Sequence, residues 1–134
     1  MKIYIASSWQ AKARLVSKAL KKAGFQIGSS WVEAPIKLGH RLTTVEKRGI
    51  ALKDVQEVLA ADALVVISDD YRNRGGKFIE LGASLGSGKI CAVLGDRSEN
   101  TLMAHPSIFC AGSMAALIKF LKRIEKKLTG KTAG

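Results

Sequence analysis

The chain has 134 residues, of which 47% are hydrophobic and 25% charged, and its formal net charge is +11. This length suits one domain that buries roughly two-thirds of the surface its unfolded chain would expose, and the composition argues against extensive disorder. No apolar run approaches the ~20 residues of a membrane span, and the N-terminus turns polar too soon for a signal peptide. The sequence therefore predicts a soluble cytoplasmic protein without a membrane partner.

The positive charge favours anionic partners, and its distribution narrows the choice. Half of the 22 basic residues fall in or just past two predicted helices, one near each end of the chain. Phe120 is the one aromatic residue interleaved with them, and such sparse aromatics are typical of solvated helix faces. Nucleic acid is therefore an open but less favoured partner, and small anions such as nucleotides are favoured.

The cysteines and histidines argue against a disulfide-rich protein and against a metalloprotein. The two cysteines, Cys91 and Cys110, lie in apolar stretches and are predicted to be buried thiols, as in a reducing compartment. Neither histidine belongs to a set of metal ligands. We therefore expect no metal and no cofactor.

The first half of the chain alternates between strand-like and helix-like segments. A β-rich run at 2–6 is followed by Ser7 and Ser8, which can cap a helix, and 25–29 can form a second strand. Residues 31–44 show no clear period, which predicts a long irregular connection. Loops of that length are usually functional.

The alternation continues through the second half. Thr43 or Thr44 can cap a helix, and 63–67 are apolar on both faces, as in a central parallel strand. A helix from Lys77 to about Gly86, a strand over 89–94, a short strand near Ile108 and a final helix from Met114 to Leu128 follow. In the helix before the central strand, the predicted buried stripe consists of Ala51, Val55, Val58 and Leu59.

These spacings suit right-handed crossovers between parallel strands. They predict a single α/β domain over 1–128, with a flavodoxin/Rossmann-like doubly wound sheet of about five parallel strands and helices on both faces. Residues 129–134 are small and polar, and we expect this tail to be disordered. Ligands bind such sheets beyond the carboxyl ends of the strands.

The segment RNRGGKFIELG, residues 72–82, emerges at that edge. Gly75 and Gly76 let the backbone approach a ligand, and a helix starting near Lys77 directs free N–H groups toward it. Glu80 would then lie in about the first turn, where the helix dipole keeps a carboxylate ionised, as a nucleophile requires. A carboxylate that only serves the helix terminus would give the same pattern. Neither the phosphate P-loop nor the dinucleotide fingerprint is present, so the sequence supports neither an NTPase nor a classical dehydrogenase.

Three blocks of the sequence together resemble a known family. They are KIYIASSW, LKDVQEVLAADALVVISDD and GGKFIELGASLGSGK. Their combination is similar to the nucleoside 2-deoxyribosyltransferase superfamily, which includes the 2'-deoxynucleoside 5'-monophosphate N-glycosidases. The resemblance extends from Lys2 to roughly Pro106.

The resemblance implies an enzyme that breaks the bond between a deoxyribose and its base. It assigns the nucleophile to Glu80 and the proton donor for the leaving base to Asp54. On a helical wheel, Asp54 lies at the edge of the predicted buried stripe, so partial burial would raise its affinity for protons. A solvated helix carboxylate is the alternative for Asp54. Two carboxylates also suit glycosyl transfer, which needs one ionised and one protonated group.

One position departs from both branches of the family. Six residues before the nucleophile, the resemblance implies an aspartate in the transferases and a serine in the monophosphate glycosidases, whereas this chain has Arg74. With Lys77 nearby, a guanidinium here favours a 5'-phosphate by charge-assisted hydrogen bonds, each worth roughly 1.5 to 3 kcal/mol.

Other substrate-binding candidates surround the same edge. Ser7 and Ser8 are sugar or phosphate ligands or plain helix caps, Trp9 is a base-stacking residue or a lid over the core, and Asp69 is a ligand contact or a turn residue. Asn100 lies in a loop that, by the resemblance, reaches a neighbouring subunit's site. Small residues on the catalytic helix indicate a homodimer or a higher homo-oligomer.

Two alternatives to a deoxyribosyl-transferring enzyme remain. The fold and the glutamate also resemble TIR-type domains, which implies cleavage of NAD at its nicotinamide-ribose bond. A non-catalytic nucleotide-binding or sensing module is the other, and Arg74 keeps it open.

Overall fold

The computed structural model of the protein describes residues 1–35, 41–69 and 75–133. These ranges contain five strands, β1 (Lys2–Ala6), β2 (Gln26–Ile27), β3 (Ala63–Ile67), β4 (Ile90–Leu94) and β5 (Ile108–Ala111). They also contain four α-helices, α1 (Gln10–Lys22), α2 (Thr44–Ala60), α3 (Gly76–Gly86) and α4 (Met114–Ala133). Short 3-10 turns lie at Ser30–Glu33, Arg97–Glu99 and Thr101–Ala104.

The five strands form one parallel sheet in the order β2-β1-β3-β4-β5. This order confirms the predicted flavodoxin-like α/β class. The direction of winding reverses between β1 and β3, which is where ligands bind in sheets of this kind. The fold therefore draws attention to the loops that follow these two strands.

Alternation along the strands separates two cores. Ile3 and Ile5 of β1 face α1 and α4, together with Val65 and Ile67 of β3. Tyr4 points to the opposite side, where α2 and α3 pack. All five residues of β3 are buried, because helices cover both of its faces.

The second strand is shorter than the predicted 25–29. Beyond Ile27 the chain leaves the ladder, and the backbone N–H of Ile5 donates to the Ser29 side-chain oxygen at 3.0 Å. A side chain thus replaces the backbone acceptor that another strand residue would supply.

The prediction of which α2 residues form its buried stripe is wrong. Of its four residues only Val58 is buried, and Val55 and Leu59 are 39% and 47% exposed. The face that turns toward the protein instead carries Asp54 and Glu57, which lie four and one residues before Val58. Apolar residues lie on both sides of this helix, so their spacing alone did not identify the inner one.

The structure also shows where α2 begins and where α4 ends, and both can be compared with the predicted bounds. Thr43 caps α2, accepting a hydrogen bond from the Glu46 backbone N–H, while the Glu46 side chain accepts from the Thr43 N–H. At the other end of the chain, α4 continues to Ala133, past the predicted end at Leu128. The Thr129 hydroxyl donates to the backbone oxygens of Glu125 and Lys126 within this helix.

Candidate functional site

Tyr4 and Glu80 meet on the α2 and α3 side of the sheet. Tyr4 is fully buried in the middle of β1, and its hydroxyl donates a hydrogen bond to Glu80 Oε2. Glu80 is partly buried on α3. Sequence reasoning missed Tyr4, although a tyrosine in an otherwise aliphatic strand is a signal, because a buried hydroxyl needs a partner.

Burial governs the titration of Glu80. It raises the pKa of this carboxyl to about 7; the hydrogen bond from Tyr4 acts in the opposite direction, and the charge of Asp54 raises the pKa further. Glu80 is the fifth residue of α3, beyond the first turn in which the helix dipole acts. The sequence predicted a carboxylate that the helix dipole keeps ionised, whereas burial here raises the pKa of Glu80 to near neutrality.

Tyr4 is held as a permanent proton donor. Burial raises the pKa of its hydroxyl far above the ordinary value, and the negative charge of Glu80 raises it further. The hydroxyl therefore stays protonated while Glu80 gains and loses its proton. One oxygen of the carboxylate, Oε2, is thereby oriented.

Asp54 belongs to the same group of side chains. It lies half-buried on α2, and its pKa is raised by burial and by the charge of Glu57, whereas Lys53 acts to lower it. This agrees with the partial burial expected from the sequence. Its charge also affects both Tyr4 and Glu80, so the structure brings the two predicted carboxylates into one electrostatic cluster.

Glu57 is a second residue that sequence reasoning missed. Its Oε1 accepts hydrogen bonds from the backbone N–H and the hydroxyl of Ser30, both at 3.0 Å. These bonds fix the carboxylate one helical turn after Asp54. A fixed negative charge there favours the protonated form of Asp54.

Lys77 differs from its predicted role as a cation facing the ligand. Only 2% of the residue is exposed, and its Nζ lies 2.6 Å from Glu99 Oε2. The ammonium also donates to the backbone oxygens of Ile67 and Asp69, each at 3.3 Å. Its charge is used inside the protein, so in this structure Lys77 is not presented to a substrate.

Gly75 and Gly76 lie at the start of α3. Gly75 is the N-cap of the helix, with a φ of 87° that favours glycine, and its carbonyl accepts from the N–H groups of Phe78 and Ile79. A Cβ at Gly76 would meet only open space within 4 Å. Arg74 lies outside the described residues.

The remaining candidates lie on the loops at the carboxyl edge. The Ser7 hydroxyl accepts from the Trp9 N–H at 3.0 Å and so shapes the loop after β1, in which Ser8 is partly buried and Trp9 is 39% exposed. Asp69 follows β3 and is also partly buried. Asn100 Oδ1 accepts from the Leu102 N–H at 2.8 Å, which makes it the cap of a 3-10 turn.

A cavity of about 530 Å³ lies at the opposite, amino edge of the sheet, between Met1 and α4. Two of its charged groups have partners within the protein, since the Met1 ammonium lies 2.7 Å from Glu125 Oε2 and Asp62 accepts from the Lys2 N–H. We attach no functional role to this cavity, because Tyr4, Asp54 and Glu80 do not line it.

Within 1–35, 41–69 and 75–133, no group of three or more His, Cys, Asp and Glu side chains is placed to hold a metal ion. In the part of the chain that the structure describes, no helix is both long and apolar enough to cross a membrane.

No protein-family model and no curated protein sequence matches the chain. Solved structures do. A 2-deoxyribosyltransferase from the psychrotolerant bacterium Bacillus psychrosaccharolyticus is similar with a TM-score of 0.69 and 22% identity, over 88% of this chain and 90% of that one. The CMP N-glycosidase BcmB of Clostridium botulinum has a TM-score of 0.56 and 12% identity, over 91% and 98% of the two chains.

A third similar structure is a conserved protein of Enterococcus faecalis V583, with a TM-score of 0.53 and 21% identity over 90% of this chain and 87% of that one. At such identities the likeness is one of fold. The first two structures belong to the nucleoside 2-deoxyribosyltransferase superfamily, so the resemblance noted in the sequence is confirmed at the level of the fold.

Proposed function

We propose that the protein cleaves or transfers the N-glycosidic bond of a deoxynucleoside or a deoxynucleoside 5'-monophosphate, with Glu80 as nucleophile and Asp54 as proton donor. The observation that carries this proposal is the contact between Glu80, which titrates near neutrality, and the buried Tyr4 hydroxyl beside the reversal point of the sheet. The fold shared with a 2-deoxyribosyltransferase and a CMP N-glycosidase supports the same class of reaction.

In the proposed first step, an ionised Glu80 oxygen forms a bond to the anomeric carbon. The bond from that carbon to the base nitrogen breaks, and its electron pair leaves with the base, which takes a proton from Asp54. Tyr4 holds Oε2, so Oε1 is the attacking oxygen. Water or a second base then displaces the sugar from Glu80, giving hydrolysis or transfer.

The neighbours of the two carboxyl groups favour the protonation states that this step needs. The hydrogen bond from Tyr4 stabilises the charged form of Glu80, whereas the charge of Glu57 disfavours the charged form of Asp54. Burial acts against the first of these effects, since it raises the pKa of Glu80 to about 7. The proposed attack therefore needs a pH at which the Glu80 carboxyl is ionised.

A preference for a 5'-phosphate would rest on Arg74. The ammonium of Lys77 is paired with Glu99, and Asp54, Glu57 and Glu80 make the described cluster acidic. We expect Arg74→Ser to weaken binding of the monophosphate more than that of the nucleoside, by roughly 1.5 to 3 kcal/mol. Equal effects on the KM values of both substrates would remove Arg74 from phosphate recognition.

We also propose that the protein forms a homodimer through α2. Val45, Leu52 and Leu59 follow one another at seven-residue spacing on its outer side and are 76%, 61% and 47% exposed. Such a stripe suits antiparallel or parallel packing against the same helix of a second copy. In analytical ultracentrifugation, Leu52→Glu should give monomers, and Leu15→Glu, at an exposed apolar residue of α1, is the matched control. A wild-type monomer at high concentration would rule this interface out.

The enzyme assay uses purified protein with each deoxynucleoside, each deoxynucleoside monophosphate and NAD, and follows release of the free base by chromatography. We expect release from a deoxynucleoside or its monophosphate that is lost in Glu80→Ala and retained in Glu33→Ala, a change at an exposed carboxylate. Release only from NAD would favour a NAD glycohydrolase. Tight nucleotide binding without release would favour the sensing module.

A further inference from the structure

A buried ion pair lies beside the proposed nucleophile. Lys77 is in the first turn of α3, three residues before Glu80, and the exposed fractions of the Lys77 and Glu99 side chains are 0% and 9%. Their charged atoms are 2.6 Å apart. By contrast, Arg14 and Glu33 form an exposed pair at 3.9 Å on the other side of the sheet.

The ammonium of Lys77 connects three segments of the chain. Lys77 is part of α3, the carbonyls of Ile67 and Asp69 belong to the end of β3 and the residues after it, and Glu99 ends the turn after β4. Two candidate substrate-binding residues are close to these contacts. The backbone oxygen of Asp69 accepts from Lys77, and Asn100 directly follows Glu99 in the chain. A single side chain thus relates the catalytic helix to two loops of the site.

Stability alone is a weak reason for such a pair. Removing a lysine and a glutamate from water offsets much of their attraction, and apolar residues of similar volume are often as stable in the same place. Fixed contacts between separate segments are the better-attested use of a buried polar group. For an enzyme, a displacement of about 1 Å at the reacting atoms can lower the rate about 100-fold.

We propose that the Lys77–Glu99 ion pair is a positioning element of the site, which fixes the first turn of α3, and with it Glu80, to the segments that follow β3 and β4. This inference rests on the proposed function for its kinetic consequences only. Lys77 and Glu99 are positioning residues and do not touch the substrate.

Three variants separate positioning from stability. Lys77→Met and Glu99→Gln each remove one charge of the buried pair and keep the opposite charge, so both should lower the denaturant midpoint of unfolding. The double variant Lys77→Met/Glu99→Gln removes both charges and should recover most of that midpoint. Its kcat should nevertheless stay about tenfold to 100-fold below that of the parent, with a smaller change in KM.

The pH profile adds a readout that a purely structural role would not change. Tyr4 from β1 and Asp54 from α2 are the groups that act on Glu80 from neighbouring elements, and Lys77 with Glu99 forms a pair without net charge. Loss of the pair would therefore act on the pKa of Glu80 through displacement of Glu80 from Tyr4, whose hydrogen bond lowers that pKa. The acid limb of kcat should move to higher pH in the double variant and stay in place in Glu33→Gln.

A measurement that needs no activity keeps this inference apart from the proposed function. The chain has two tyrosines, so in a Tyr71→Phe background the ring NMR signal of Tyr4 reports its contact with Glu80. We expect this signal to shift or broaden in the double variant and to be unchanged in Glu33→Gln, the matched change in the exposed pair. Parental kcat and an unchanged Tyr4 signal in the double variant would overturn the positioning role, whereas absent base release in the parent with a perturbed Tyr4 signal would overturn only the reaction.

Discussion

The two faces of the sheet differ in what they bury. The face under α1 and α4 is apolar, with Ile5, Leu117 and Leu121 fully buried in one cluster. The face under α2 and α3 buries Tyr4, and it receives the half-buried carboxyl groups of Asp54 and Glu80. Because strand residues alternate, one strand supplies both environments. The apolar groups of the first face stabilise the fold. On the second face, burial of ionisable groups lowers the free energy of unfolding whenever those groups are charged.

Leu117→Ala tests the apolar face. Leu117 is fully buried on α4, so the truncation should lower the free energy of unfolding by about 2 to 5 kcal/mol. Because α4 is on the far side of the sheet from Glu80, kcat per folded molecule should not change. Denaturant unfolding and active-site-normalised kinetics check the two parts. A large fall in kcat with intact folding would contradict the division between the faces.

Glu80→Gln tests the second face through its effect on stability. The pKa of Glu80 is about 7 in the folded protein and 4.5 ordinarily, so the stability that its protonation contributes is complete below about pH 4.5 and lost as the pH rises through 7. The neutral glutamine avoids this loss. The variant should be more stable than the parent by about 3 kcal/mol above pH 8, and equal to it at low pH.

The measurement is denaturant unfolding of both proteins over a range of pH, with Glu33→Gln as control. A constant difference between Glu80→Gln and the parent across that range would mean that Glu80 does not titrate near neutrality. The expected gain in stability with a loss of activity is the usual signature of a strained functional residue.

Tyr4→Phe should give the smallest of these effects. Phenylalanine fills nearly the same volume, but the hydrogen bond that lowers the pKa of Glu80 is lost. The pKa should therefore rise above 7, and the acid limb of the rate profile should move to higher pH by about one unit, with kcat lowered about tenfold. A limb that stays in place would show that Tyr4 does not control the ionisation of Glu80.

Local sequence patterns were sufficient for the architecture. The fully apolar run 63–67 predicted the central strand, and the capping residue types at Thr43 and Thr44 indicated the start of α2. The roles of the two carboxylates remain predictions, drawn from loop position and from the family resemblance. The strand and helix predictions depend only on residues that are neighbours in the sequence, so the sequence alone was sufficient to make them.

The rest depends on contacts between distant segments. The Tyr4 hydroxyl and Glu80 are 76 residues apart, and the Ser30 contact of Glu57 crosses 27 residues. The sequence predicted that Lys77 faces the ligand, whereas it contacts the distant Glu99. A lysine at a helix N-terminus has the same local sequence in either case, so local patterns could not distinguish them. Burial of Glu80, and with it the pKa near neutrality, appeared only when three elements were assembled.

The most direct test of the central claim is to identify the residue that becomes attached to the sugar. The protein would be quenched in acid during turnover of a deoxynucleoside or its monophosphate, digested and analysed by mass spectrometry. The account predicts a deoxyribosyl group on the peptide that contains Glu80, and its absence in Glu80→Gln. A sugar attached to any other side chain, or base release by Glu80→Gln at the parental rate, would contradict it.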